Sequence, residues 1–256
     1  MKQIQWALIA ACVSFGGLSV AQAGLLVSEK EIRRAARVEW LSMKRHLPLE
    51  PDARVQNYVA CVAKRLIAEL PPEHTNVDWE VVVFDDEAIN ASANPDGKIA
   101  VLNGLLRVAD TPDSLAAVLG HEIAHATEEH VMDRAKRGAR TDMLVLLGSA
   151  ATGIQQDMLR DGATIGLSLP YAREQETEAD LVGLQYMAKA GFDPRAAMYL
   201  WKNMAAANQG APPEMLSSHP SDDTRLDNIV KAITPALVQF NAAREAGKRP
   251  NCQVAR

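Results

Sequence analysis

Cysteine is scarce in this sequence, with three in 256 residues and no Cys-x-x-Cys spacing, so neither a dithiol redox motif nor a cysteine-rich zinc knuckle is available. Basic charge is not in excess either. The formal net charge is −5 and no long Lys/Arg run occurs, which removes the electrostatic footprint that nucleic-acid binding requires. Apolar runs long enough to span a bilayer are missing beyond the N-terminal segment. There is no internal repeat and no low-complexity linker, which argues against a solenoid or a string of modules.

What is present is a composition of 48% hydrophobic and 23% charged residues, that of an ordinary globular protein with a core to bury. Lys2, the apolar or small residues Trp6 to Val20, and Ala21-Gln22-Ala23 together read as an exported leader over residues 1–23 with an A-x-A cleavage site. Two other readings of this segment stay open: an uncleaved anchor, and a lipobox at Ile9-Ala10-Ala11-Cys12 that lipidates Cys12. Cleavage after Ala23 leaves Cys61 and Cys252, and two thiols in an exported chain are most simply a disulfide, with two buried free thiols as the alternative. Residues 24–256 are read as one domain.

The expected class is α+β, mainly helical, with a small antiparallel sheet beside the active-site helix. Ser28 and Glu31 form a capping box before a helix to about His46, and Pro51 suits the first position of a second helix. Trp79 to Phe84 and Gly97 to Leu102 read as strands on either side of a polar loop. Thr111-Pro112-Asp113-Ser114 starts a helix that carries Leu115, Val118, Leu119 and Ile123 at helical spacing. The eleven apolar residues Met143 to Gly153 suit a core or interface helix. Later helices are expected from Ala172 to Ala190 with Gly191 as cap, from Pro194 to about Ala206, and from Asp222 to Ile233.

His121-Glu122-Ile123-Ala124-His125 has the H-E-x-x-H spacing, and in a helix its two imidazoles stand one turn apart on one face, able to reach one ion. Imidazole ligands suit zinc, and Glu122 is then placed to take a proton from an attacking water rather than to bind the metal. A catalytic zinc needs a third protein ligand. One template puts Gly three residues and His six residues after the second His, but Glu128 and Val131 stand there, and His130 is read as a solvated residue at the helix end. Glu176 and Asp180 share a helix face at i and i+4, so Glu176 is the expected ligand and Asp180 the carboxylate that orients a ligand histidine. Helical phase leaves Glu174 and Glu178 as solvated acids.

The ordered series Ile89-Asn90-Ala91, Val101 to Leu106, His121 to His125, Ala172 to Asp180, Ala190 to Pro194, and His219-Pro220 with Arg225 resembles the gluzincin metalloproteases. That family includes the CAAX prenyl protease, the membrane heat-shock protease HtpX and the periplasmic beta-barrel assembly-enhancing protease. Asn94-Pro95-Asp96-Gly97 departs from the family's usual Pro-Gly-Gly. The resemblance implies one Zn2+ per chain on His121, His125 and Glu176. It also implies a periplasmic endopeptidase for misfolded or unassembled envelope proteins, with contacts to outer-membrane assembly machinery or a membrane surface as further partners. A chaperone that keeps the fold without cutting is the alternative, and a cell-wall amidase is a second. Lys98, Ile99, Ala100 and Val101 are expected to form an edge strand that pairs with substrate. The resemblance sets His219 and Arg225 beside the site. His219 is expected either to donate to the oxyanion or to fill the open zinc position, and Arg225 to anchor the loop through a carboxylate.

Overall fold

The computed structural model describes residues 28–74, 76–138, 171–207, 215, 219 and 223–253. The leader over 1–23 with Cys12, the apolar run at 143–153 and Pro220 lie outside the described residues. Helix α1 (Glu29–His46) opens on the capping box of Ser28 and Glu31 and buries Ile32, Ala36 and Trp40. Helix α2 (Ala53–Ile67) starts after Asp52 rather than at Pro51, because the Asp52 carboxylate accepts the Arg54 N–H and so caps the first turn. Its apolar face, Tyr58, Val59, Val62 and Leu66, enters the core.

The sheet has three strands, β1 (Glu80–Phe84), β2 (Ala91–Ala93) and β3 (Lys98–Leu102), in the order β1-β3-β2. It is mixed, not antiparallel: β1 runs parallel to β3, and β2 runs antiparallel to it. The reason is β2, which sequence reading passed over. Ala91-Ser92-Ala93 has no β-branched or aromatic residue to mark it as a strand, yet it makes the hairpin with β3, closed by Gly97 at φ +74. With that side of β3 taken, β1 pairs on the other.

Helix α3 (Pro112–Thr127) is capped by Thr111 and Ser114 with Pro112 in its first turn, as its sequence indicates. It is buried almost all round, packed by α2 and β2 on one side and by α4 (Arg173–Lys189) and α5 (Ala196–Ala206) on the other. Gly191, at φ +85, closes α4 in a Schellman arrangement in which the Phe192 N–H donates to the Met187 carbonyl at 2.9 Å. Helix α6 (Asp223–Glu245) runs twelve residues beyond the expected end at Ile233, passing through Pro235. Burial of Ala236 and Ala243 against the domain outweighs the backbone bond that proline forfeits. Cys61 on α2 and Cys252 in the tail are bonded, with Cα atoms 5.7 Å apart.

The α3–α4 crossing sets up the site. At Gly120 an added Cβ meets the Gly183 carbonyl oxygen at 3.0 Å, and at Gly183 one meets the Gly120 backbone at 2.9 Å. Two glycines face to face let the helix backbones touch, one residue before His121 on α3 and one turn after Asp180 on α4.

Candidate metal centre

Helix α3 presents His121, Glu122 and His125, all buried, and α4 presents Glu176 and Asp180, also buried. The Nε2 atoms of His121 and His125 are 3.0 Å apart, and each lies 3.4 Å from a Glu176 carboxylate oxygen. His219 completes the group: its Nδ1 is 3.2 Å from His121 Nε2 and 2.9 Å from Glu176 Oε1. One donor atom from each of the four residues falls within 4.8 Å of all the others.

The neighbours fix these side chains. Asp180 Oδ1 lies 2.9 Å from His121 Nδ1, so that nitrogen carries the proton and Nε2 keeps its lone pair for the centre. Arg225, on α6 and only 3% exposed, forks onto both Asp180 oxygens at 2.5 and 2.9 Å and reaches Glu176 Oε2 at 2.6 Å, with its guanidinium 4.0 Å above the Trp201 ring. Burial opposes the charge on Asp180, and Arg225 overrides it, holding the carboxyl below its usual range. Burial opposes charge on Glu176 as well, but its bonds to three imidazoles hold it far below the ordinary value. His121 is raised to about 9, since its bonds to Asp180 and Glu176 outweigh burial. His125 is driven well below the usual value by burial and by the neighbouring His121 charge.

Glu122 Oε2 accepts the Ala93 N–H at 3.2 Å, while Oε1 is buried and accepts no hydrogen bond, with His219 Nε2 3.4 Å away. Two further residues pack against His125 that sequence reading placed elsewhere or did not single out, His130 and Tyr171. His130 is not solvated: it is buried, its Nδ1 is 3.1 Å from His125 Nδ1, and its Nε2 is 3.2 Å from Glu178, which is exposed as its helical phase indicates but bonds His130 as well. Tyr171 stacks on the His125 ring at 3.8 Å, and burial pushes its phenol up to about 12. Glu174 is exposed, as its helical phase indicates.

The edge assignment needs correction. Lys98, Ile99, Ala100 and Val101 lie in β3, the central strand, paired on both sides and buried. The edges are β1 and β2, and the one beside the metal cluster is β2. The Leu102 N–H donates to the Asn90 carbonyl and the Asn94 N–H to the Lys98 carbonyl, so even-numbered residues bond β3 and the backbone groups of Ile89, Ala91 and Ala93 point away from it. The Ala93 bond to Glu122 shows that this edge runs along the metal cluster.

The model of the family described as Peptidase family M48 matches residues 53–233. The chain belongs to peptidase family M48. It is 36% identical over 184 residues to the mitochondrial metalloendopeptidase OMA1 of Schizosaccharomyces pombe, covering 71% of this chain and 54% of the relative. It is 32% identical to the mitochondrial metalloendopeptidase OMA1 of Bos taurus, covering 93% and 52%. It is 28% identical to the beta-barrel assembly-enhancing protease of Escherichia coli, covering 75% and 42%. The chain thus spans about half the length of these curated relatives.

The donor set fits the zinc of such a peptidase. An ion about 2.0–2.1 Å from each of four tetrahedral ligands requires ligand-to-ligand edges of roughly 3.3–3.4 Å; five contacts among the four residues run from 2.9 to 3.4 Å, and one ligand atom from each falls within 4.8 Å of the others. With Asp180 holding the proton on His121 Nδ1, the His121 Nε2 lone pair is turned toward His125 Nε2 at 3.0 Å, an arrangement that a metal ion between the two nitrogens would satisfy. His121, His125 and Glu176 would hold it, with His219 in the fourth position.

Proposed function

We propose that this protein is a zinc-dependent endopeptidase of the bacterial periplasm that hydrolyses misfolded or unassembled envelope polypeptides. The observation that carries the reading is Glu122, a buried carboxylate with one oxygen tied to the β2 edge and the other unbonded and turned toward a four-residue metal cluster. Bound zinc supplies a Lewis acid that polarises a carbonyl and makes water acidic enough to react near neutral pH. Glu122 Oε1 takes the proton from the attacking water and passes it to the leaving amine nitrogen, while Oε2 stays anchored on Ala93. An extended substrate pairs with the outward backbone groups of Ala91 and the Ala93 carbonyl, so affinity comes from main-chain bonds and side-chain preference is weak. Such a preference suits unfolded proteins in general. The leader at 1–23, the single disulfide and the likeness to the beta-barrel assembly-enhancing proteases support the periplasm and the envelope substrates. Outer-membrane assembly machinery is the proposed partner.

The His219 segment supports a latent state. The Met215 N–H donates to the Ile89 carbonyl on the edge that substrate would use, and His219 fills the fourth metal position. Met215 thus takes up the carbonyl at the Ile89 end of the edge and His219 stands at the reacting position, which favours the inhibitory role of His219 over an oxyanion donor. Proteolysis of casein is the test. The wild type is expected to degrade it and Glu122→Gln to lose the activity; undiminished degradation by Glu122→Gln overturns the proposal, and release of peptides from purified peptidoglycan with casein untouched would replace it with an amidase.

A further inference from the structure

We infer that Glu178 and His130 form a relay that sets the tautomer of His125, making His130 a positioning residue for the metal centre. The two ligand imidazoles on α3 are not oriented alike. His121 has a carboxylate directly on its Nδ1, Asp180 at 2.9 Å. His125 has another imidazole there, His130 Nδ1 at 3.1 Å.

Two ring nitrogens bond only if one carries the proton and the other a lone pair. Glu178 decides which. Its Oε2 stands 3.2 Å from His130 Nε2, and an ionised carboxylate only accepts, so the His130 proton is drawn to Nε2. His130 Nδ1 is then the acceptor, His125 donates from Nδ1, and the lone pair of His125 Nε2 faces His121 and Glu176. Tyr171, stacked at 3.8 Å, restrains the ring from its flat side. Helix α4 thus supplies the ligand Glu176 and, two and four residues further along, the carboxylates Glu178 and Asp180 that orient the two histidines.

The backbone is shaped for this contact. In an unbroken helix, five residues after His125 lies about 140° around the axis, and His130 would face away. Helix α3 instead stops at Thr127, Glu129 adopts φ +60, and a helical segment restarts over residues 130–138. Among the described residues Glu129 is the one non-glycine with positive φ, and that turn returns His130 to the His125 side, where it is 3% exposed.

The test is zinc affinity of the whole chain, measured by competition with a chromophoric chelator, so it does not depend on the substrate proposal. His130→Leu keeps bulk and removes the acceptor, and is expected to weaken zinc binding about ten- to a hundredfold. His130→Asn puts an amide oxygen near the place of Nδ1 and is expected to recover most of that loss. Glu178→Ala should weaken binding with His130 present and have no effect in the His130→Asn chain, whose acceptor needs no tautomer. Circular dichroism of the metal-free variants checks folding, and if His130→Leu does not fold, Glu178→Ala in the two backgrounds carries the test. Equal losses in His130→Leu and His130→Asn would mean packing alone and overturn the relay, as would wild-type affinity in His130→Leu. A wild-type chain that takes up no zinc would overturn the metal centre and the relay with it.

Discussion

His121, Glu122 and His125 were legible because one helical turn fixes their relation, and nothing outside α3 is needed to put both imidazoles on one face. Glu176 and Asp180 were legible for the same reason within α4. The test of that assignment contrasts neighbours. Glu176→Gln is expected to lose at least about tenfold in zinc affinity, while Glu174→Gln, on an exposed residue, retains zinc through dialysis. Equal retention in both would reject Glu176 as a ligand. His130 was misread because its contact depends on the left-handed turn at Glu129, and residue type there gives no warning. His219 could be tied to the site by resemblance, but the proposal of the latent role over the oxyanion role rests on the Met215–Ile89 bond and its place among the ligands. On the proposed latent role, in which His219 holds the fourth position, only a small fraction of the enzyme would be competent. His219→Ala is therefore expected to raise turnover of casein by roughly tenfold or more, and a fall in turnover at full zinc content would instead assign it to oxyanion stabilisation.

At the scale of elements, the helices follow from caps and apolar period, whereas the sheet's pairing does not. Three small residues make the β2 edge, so neither propensity nor alternation marks it, and β3, the more strand-like sequence, lies in the middle. The α3–α4 contact was also hidden, since glycines 63 residues apart carry no local signature of touching. A side chain at Gly183 collides with the Gly120 and His121 backbone at 2.9 Å, and no flexible side chain is there to yield. Gly183→Ala should therefore cost about 1–3 kcal/mol and move Glu176 away from the two histidines, with zinc affinity falling alongside stability. Gly138→Ala is the matched control, because a Cβ there meets nothing within 4 Å and helix propensity improves. Thermal unfolding and zinc titration of the pair check the contact. Equal behaviour would mean that the crossing tolerates a methyl group.

For the whole molecule, the Cys61–Cys252 bond ties the tail to α2 across 191 residues of sequence. The chain-entropy model gives such a link about 5 kcal/mol, so the double serine variant is expected to unfold at a much lower temperature while binding zinc normally below its midpoint. An unchanged midpoint would contradict this. Acid should loosen the packing of α1 on the sheet. Burial works to raise the Glu80 carboxyl, but Lys44 and Trp40 bond it at 2.6 and 2.7 Å and hold it below 4.5. That contribution is complete above pH 4.5 and disappears as pH falls through the lower folded value. Glu80→Gln should therefore show a shallower loss of stability below pH 4.5, and an identical acid limb would remove the link. Among the described residues no helix is long and apolar enough to cross a membrane, and the larger of the two buried apolar clusters gathers around α3. The claim on which the rest depends is a single buried zinc at the α3–α4 crossing, and metal content of the purified protein tests it most directly. Wild type and Glu122→Gln should each carry one zinc per chain and His125→Ala almost none; equal zinc in all three, or none in the wild type, would contradict it.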